Sequence, residues 1–273
     1  MAKQPETLPR TSGELAPIVA IGGLLTVKQL AEWYRPILAK DKTSGLPCNK
    51  RFLAPPQRGL GRLDEMREEA SERLYKLYDR LDQRKMFIVG HSLGGLMASV
   101  AALETPEIIA GVVSLGGVHE GYNKETPATL ALRYSLGNPA EAKHLWHESD
   151  FMMEHKEKMA SSWSADIPFH VIATPLDYLV VPPQGFGVSL AHGEPDKKIV
   201  VLPVPGAETI TRRGFGLGED VGMLRSWYPT EHVNLPRNPD IAAYIDTSRH
   251  ELAGLGSSVL TATRQDAGLS LAA

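Results

Sequence analysis

The sequence predicts an α/β fold, a mostly parallel central sheet of about six strands with helices on both faces. Three observations carry this. Short apolar runs alternate with longer stretches of helical periodicity along most of the 273 residues. One such run, Met86 to Val89, passes without a linker through Gly90-His91-Ser92-Leu93-Gly94 into a helix of small residues. The length suits one sizeable core, so residues 1–273 are expected to form a single domain.

In chain order, residues 1–15 are polar and rich in Pro, Thr and Ser, which suggests a mobile arm before the first strand at Ile18–Ile21. Gly22 and Gly23 end that strand. A helix is expected over Val27–Leu38, with Leu30, Trp33, Tyr34 and Ile37 on one face. A short strand at Arg51–Ala54 stops at Pro55-Pro56. From Asp64 to Leu81 apolar residues recur at three and four, which makes a helix that covers one face of the sheet. The strand Met86–Val89 and its helix follow, then Pro106 breaks the chain and Ile108–Leu115 supplies the next strand.

Residues 116–167 hold no strand-like run, yet carry Tyr134, Leu145, Trp146, Phe151, Met152, Met153, Met159 and Trp163. This is more apolar surface than a connection needs, and as a group it fits a helical lid inserted over an apolar pocket. Leu24, Trp146, Met152 and Met153 are the candidate contacts to a substrate. His144, His147 and His155 in this stretch read as histidines of solvated helices, since no acidic partners can be placed beside them. Regular structure resumes with strands at Pro168–Ala173 and Lys198–Val204. A final helix runs from Asp240 to about Leu252, and a tail over 253–273 has little to hold it in place.

The chemistry centres on Ser92. Glycines two residues to either side of a serine, on a turn from strand to helix, allow a corner too sharp for side chains. The hydroxyl is then pushed out at the carboxyl edge of the sheet, above the positive end of a helix. This is the arrangement of a nucleophile elbow. In the order nucleophile, acid, histidine, Asp177 follows just past the end of a later strand, where a carboxylate that orients an imidazole belongs. The same order excludes histidines that precede Asp177, and His91 inside the elbow is expected to point elsewhere. His232 is the candidate base, with His192 and His250 as its rivals. Gly23 at the end of the first strand and Leu93 after the serine are the candidate oxyanion-hole amides.

Composition narrows the function classes. The 29 Lys and Arg against 32 Asp and Glu form no basic block, which argues against a nucleic-acid partner. A lone cysteine, Cys48, excludes an internal disulfide framework and a cysteine-rich metal site. No metal or organic cofactor is expected. No segment has the length of a membrane span, and the start lacks the apolar core of a secretory signal. The default expectation is a cytoplasmic protein, with export by a route that uses no signal peptide still open.

On these residues the chain resembles the α/β-hydrolase fold superfamily, its lipase and esterase members in particular. Gly90-His91-Ser92-Leu93-Gly94-Gly95 is similar to their GHSLGG elbow, and the run from Leu115 to Gly121 to their GTPHGG strand end. Asp177 with Val181-Pro182 resembles the acid site, and His232 with Asn238-Pro239 the histidine loop that opens the last helix. Ile21 stands where many relatives carry histidine, and the sheet opens directly on the oxyanion strand, which implies a trimmed sheet. The resemblance implies a serine carboxylic ester hydrolase acting on a small-molecule acyl ester or lipid through an acyl-enzyme on Ser92. A thioesterase or acyltransferase using the same triad is the alternative. A non-catalytic protein that binds an acyl ligand is the third reading.

Overall fold

A computed structural model describes residues 15–24, 28–56, 62–119, 121, 145, 149–163, 167–173, 197–201, 232 and 235–253. Six strands, β1 (Ile18–Ile21), β2 (Phe52–Leu53), β3 (Met86–His91), β4 (Ile109–Leu115), β5 (Phe169–Ala173) and β6 (Lys197–Val201), form one sheet in the order β2-β1-β3-β4-β5-β6. Every neighbouring pair is parallel. The fold class and the sheet read from the sequence are therefore those of the molecule.

Register brings the carboxyl ends of the strands to one edge. Ile21 lies opposite Leu53 and Gly90, His91 opposite Leu115, Leu115 opposite Ile172, and Ala173 opposite Val201. The chain order reverses direction between β1 and β3, and parallel sheets bind ligands at the carboxyl edge beside such a reversal. Gly22 and Gly23 leave β1, and Ser92 leaves β3, at this position.

Side chains alternate between two buried layers because successive residues of a strand face opposite ways. Val19, Ile21, Met86, Ile88, Val112, Phe169 and Val171 meet one layer of helices. Ile18, Ala20, Phe87, Val89, Val113, Leu115 and Ile172 meet the other. The first layer holds α2 (Leu63–Arg80) and α3 (Leu93–Glu104), and the second holds α1 (Arg35–Leu38) and α5 (Pro239–Leu252). Both faces are thus covered, as a parallel sheet of continuous apolar runs requires.

On α2, Leu63, Met66, Ala70, Leu74 and Leu77 are buried at helical spacing, with Asp64 and Glu65 in the first turn and Arg80 in the last, where they suit the helix dipole. The expected continuous helix over 27–38 is instead a 3-10 turn, Lys28–Tyr34, followed by the single-turn α1. Pro36 is the reason: it has no N–H to give to the carbonyl of Glu32, and its ring would collide with that carbonyl in an unbroken helix.

From the stretch expected to be a lid, α4 (Asp150–Ser161) lies on the first layer beside α3. Ser149 caps its start, accepting a hydrogen bond from the Met152 N–H at 3.2 Å. Met152, His155 and Met159 are buried on its inner side, while Met153 on its outer side is 56% exposed. His155 therefore sits in the core, not on a solvated face. No helix among the described residues is long and apolar enough to cross a membrane.

Candidate active site

All six residues of β3 are buried, and the backbone turns at Ser92 with φ 56° and ψ −125° before α3 begins at Leu93. For a residue with a Cβ this is a disfavoured conformation, and it is held from both sides. The Ser92 N–H donates to the Leu115 carbonyl at 2.9 Å, and its own carbonyl accepts from the Gly95 N–H at 2.9 Å. Although Ser92 occupies the N-cap position of α3, its hydroxyl makes no capping bond.

Glycine is required at several points of this corner, among them Gly94 and Gly23. A Cβ on Gly94 would press into the carbonyls of Ile21 and Gly22, coming 2.8 Å from the Ile21 carbonyl carbon. A Cβ on Gly23 would lie 2.8 Å from the Ser92 Cβ and 3.4 Å from its Oγ. The bare backbone at Gly94 lets α3 seat against the end of β1, and that brings the Gly23 backbone into van der Waals contact with the serine. The Gly22 N–H is engaged by the Leu53 carbonyl at 2.9 Å. As the first residue of α3, Leu93 carries one of the N–H groups that a helix leaves without an internal partner.

His232 is buried, and its ring lies 4.7 Å from that of His91, tilted by 42°. His91 does more than the sequence suggested. Its Nε2 donates to the His232 carbonyl at 2.7 Å, and its Nδ1 lies 3.2 Å from the Tyr34 hydroxyl. Burial, with the His232 charge adding to it, pushes the His91 ring down to about 3, against the pull of the bond to the His232 backbone. His91 is thus a neutral imidazole joining the β3 corner to the segment that carries His232. Its place beside Ser92 was the only hint of this in the sequence.

Of the other candidates, Leu24 is half-buried against the first core layer, Met152 is fully buried within it, and Met153 faces solvent. Asp177 and Trp146 lie outside the described residues, as do the rivals of His232 at position 192 and the lid histidines at 144 and 147. His250 is a half-buried residue of α5 whose Nδ1 pairs with the Asp246 carbonyl at 2.7 Å.

A second polar cluster is sealed beneath α3. Ser99 Oγ donates to the Leu96 carbonyl at 2.8 Å and lies 3.3 Å from both His119 Nδ1 and His155 Nε2. His119 Nε2 pairs with Ser114 Oγ at 2.6 Å. The hydrogens are accounted for if the two imidazoles donate to Ser99 and Ser114 donates to His119. Burial pushes His119 down to about 3 and His155 to about 4, with His155 adding to the effect on His119 and Lys158 and Lys156 to that on His155. Ser99 is 0% exposed, so an ester has no approach to it. The cluster ties α4 and the end of β4 to α3. Among the described residues no group of three or more His, Cys, Asp or Glu could hold a metal ion.

Solved structures with a similar course of chain include lipase B of Aspergillus fumigatus, at 15% identity and a TM-score of 0.46, covering 64% of this chain and 42% of that one. This chain therefore matches less than half the length of that lipase. A monoacylglycerol lipase of Paleococcus ferrophilus matches at 19% identity and a TM-score of 0.47, covering 85% of this chain and 94% of that one. An enol-lactonase of Burkholderia xenovorans matches at 16% identity and a TM-score of 0.43, covering 77% and 92%. No curated protein sequence matches the chain. The profile of the alpha/beta hydrolase fold matches residues 17–158, a span that begins at β1 and takes in the corner at Ser92, and on that match the chain belongs to the α/β-hydrolase fold family.

Proposed function

We propose that this protein is a serine carboxylic ester hydrolase that cleaves lipid-like acyl esters through an acyl-enzyme on Ser92. One observation carries the reading. The Ser92 hydroxyl stands on a disfavoured corner at the carboxyl edge of the sheet, with the Gly23 backbone packed against it and a helix beginning at the next residue.

In this reading Ser92 Oγ attacks the ester carbonyl carbon while His232 takes the hydroxyl proton. The carbonyl oxygen gathers negative charge and is met by the N–H groups of Gly23 and Leu93; each such donor is worth about 3 kcal/mol of barrier. Collapse expels the alcohol, which leaves with the proton held by His232. Water then attacks the acyl-enzyme, with His232 again acting as base, and releases the acid and the free serine. Asp177 is assigned the carboxylate that sets the imidazole tautomer and stabilises its positive form. Leu24, beside Gly23, and the apolar residues Trp146 and Met153 are assigned to the acyl chain, whereas Met152 belongs to the core.

A fluorophosphonate probe tests the reading. We expect one adduct, on Ser92, that disappears in Ser92→Ala along with turnover of nitrophenyl esters. An unlabelled Ser92, or turnover that survives Ser92→Ala, overturns it. Acyl-CoA and nitrophenyl esters of matched chain length, with and without an alcohol acceptor, distinguish hydrolysis of esters from thioesterase or acyltransferase activity on the same serine.

A further inference from the structure

His91 is bound at both ring nitrogens, and the chemistry of its partners fixes which one holds the hydrogen. A backbone carbonyl only accepts, so the Nε2 that lies 2.7 Å from the His232 carbonyl carries the N–H. In a neutral imidazole Nδ1 is then a lone pair, and the Tyr34 hydroxyl at 3.2 Å donates to it. The sequence runs Tyr34 O–H to His91 Nδ1, then His91 Nε2–H to the His232 carbonyl. Tyr34 is itself 1% exposed and rests on Phe52 with ring centroids 4.8 Å apart. The relay therefore starts from a side chain that the second core layer holds still.

We infer that His91 is a positioning residue for His232, and that the Tyr34 hydroxyl, donating to Nδ1, holds the His91 ring in the orientation that lets it act. The inference rests on the assignment of Ser92 and His232 above. Residue 232 itself lies in none of the six strands, and it is held against the sheet by contacts. His91 supplies two: the hydrogen bond to the backbone of residue 232, and a ring packed 4.7 Å from its imidazole. Because His91 also directly precedes Ser92, the same residue links the nucleophile's corner to the base. An imidazole displaced by about 1 Å costs as much as a hundredfold in rate.

His91→Leu removes the donor and keeps an apolar side chain. Acylation and deacylation use the same imidazole, so both slow together. We expect kcat to fall about 10- to 100-fold with KM within about twofold, and phosphonylation of Ser92 to slow in parallel. His91→Gln, which offers an N–H near the position of Nε2, is expected to turn over at least about threefold faster than His91→Leu. Tyr34→Phe keeps the ring against Phe52 and is expected to lower kcat about threefold. Nitrogen-15 NMR of the imidazoles reads the relay directly: His91 should carry its hydrogen on Nε2 in both the wild type and Tyr34→Phe, and its Nδ1 resonance should shift in Tyr34→Phe as the lone pair loses its donor.

A folded His91→Leu with kcat within twofold of wild type overturns the inference, as does a glutamine variant no faster than the leucine one. If His91→Leu does not fold, Tyr34→Phe decides, and unchanged kcat together with an unchanged Nδ1 resonance overturns the relay. Absence of an adduct on Ser92 in the wild type is a different failure. It removes the proposed function, while the NMR result on His91 still stands or falls by itself.

Discussion

Ser92 adopts a backbone conformation, φ 56° and ψ −125°, that an L-residue does not choose unless its surroundings impose it. Conformations of this kind cost about 1–3 kcal/mol, and glycine relieves them at an entropic cost of about 0.5–1 kcal/mol. Ser92→Gly is therefore expected to be more stable than wild type by about 1 kcal/mol, the centre of the roughly 0–2.5 kcal/mol by which those two figures differ. Ser92→Ala, which keeps the Cβ, should match the wild type. Urea unfolding at constant m-value makes the comparison, and a glycine variant no more stable than the alanine variant would mean that the corner stores no strain. The glycine pattern made this residue legible from the sequence, because the restriction lies within a few positions along the chain. The role of His91 was not legible, because its partners are 57 and 141 residues away.

Among the elements, the second helical layer is fastened by charge as well as by apolar packing. Asp41, just after α1, accepts from the Ile18 N–H at 3.1 Å and pairs with Arg51 at 2.9 Å and Arg249 at 3.3 Å. All three side chains are at most 3% exposed. Arg51 also donates to the carbonyls of Ile18, Leu38 and Leu46, and Arg249 to those of Ala16 and Lys40. Burial opposes the ionisation of Asp41, but the hydrogen bonds from Thr43 and Ile18 and the Arg51 charge outweigh it and hold the carboxyl below its ordinary value. Its charge is thus kept at neutral pH.

This fastening joins the amino end of β1 to the chain before β2 and to α5, at the opposite edge of the sheet from Ser92. Asp41→Asn leaves two buried guanidinium groups facing a neutral amide. Losing one partner of a buried pair costs about 3–5 kcal/mol. We expect a drop of that order in unfolding free energy, with the kcat of the folded fraction unchanged; a drop below about 1 kcal/mol would place the pair with ordinary surface ion pairs. In the sequence Asp41, Arg51 and Arg249 look like any solvated charges, since nothing local marks them as buried.

For the molecule as a whole, three buried neutral histidines set its tolerance of acid. Their folded values, about 3 for His91 and His119 and about 4 for His155, lie below the roughly 6.5 of an unfolded histidine. Between those values the unfolded chain binds more protons than the folded one. Stability is therefore complete above about pH 6.5 and falls as the pH drops, by up to about 1.4 kcal/mol per pH unit for each ring. Three rings together compete with a typical total of about 5–15 kcal/mol, so unfolding is expected between about pH 6 and pH 4. Urea midpoints measured from pH 4.5 to pH 8 should be flat above pH 7 and fall steeply below pH 6. Equal midpoints at pH 7.5 and pH 5 would overturn this account.

What the chain alone determined is what short stretches control. Apolar runs of strand length, the three-and-four spacing on α2, and two glycines about one serine each act over a few residues, so the alternating α/β order and the corner at Ser92 could be read directly. Pro36 modified one helix by an equally local rule. The tertiary structure decided which side chains meet across the fold. His91 met Tyr34 and His232, His155 entered the core beside Ser99, and Asp41 gathered two arginines. Imidazoles, carboxylates and guanidinium groups have the same local preferences whether solvated or buried. Their chemistry is set by the partners and the loss of water that only the packed sheet and helices supply.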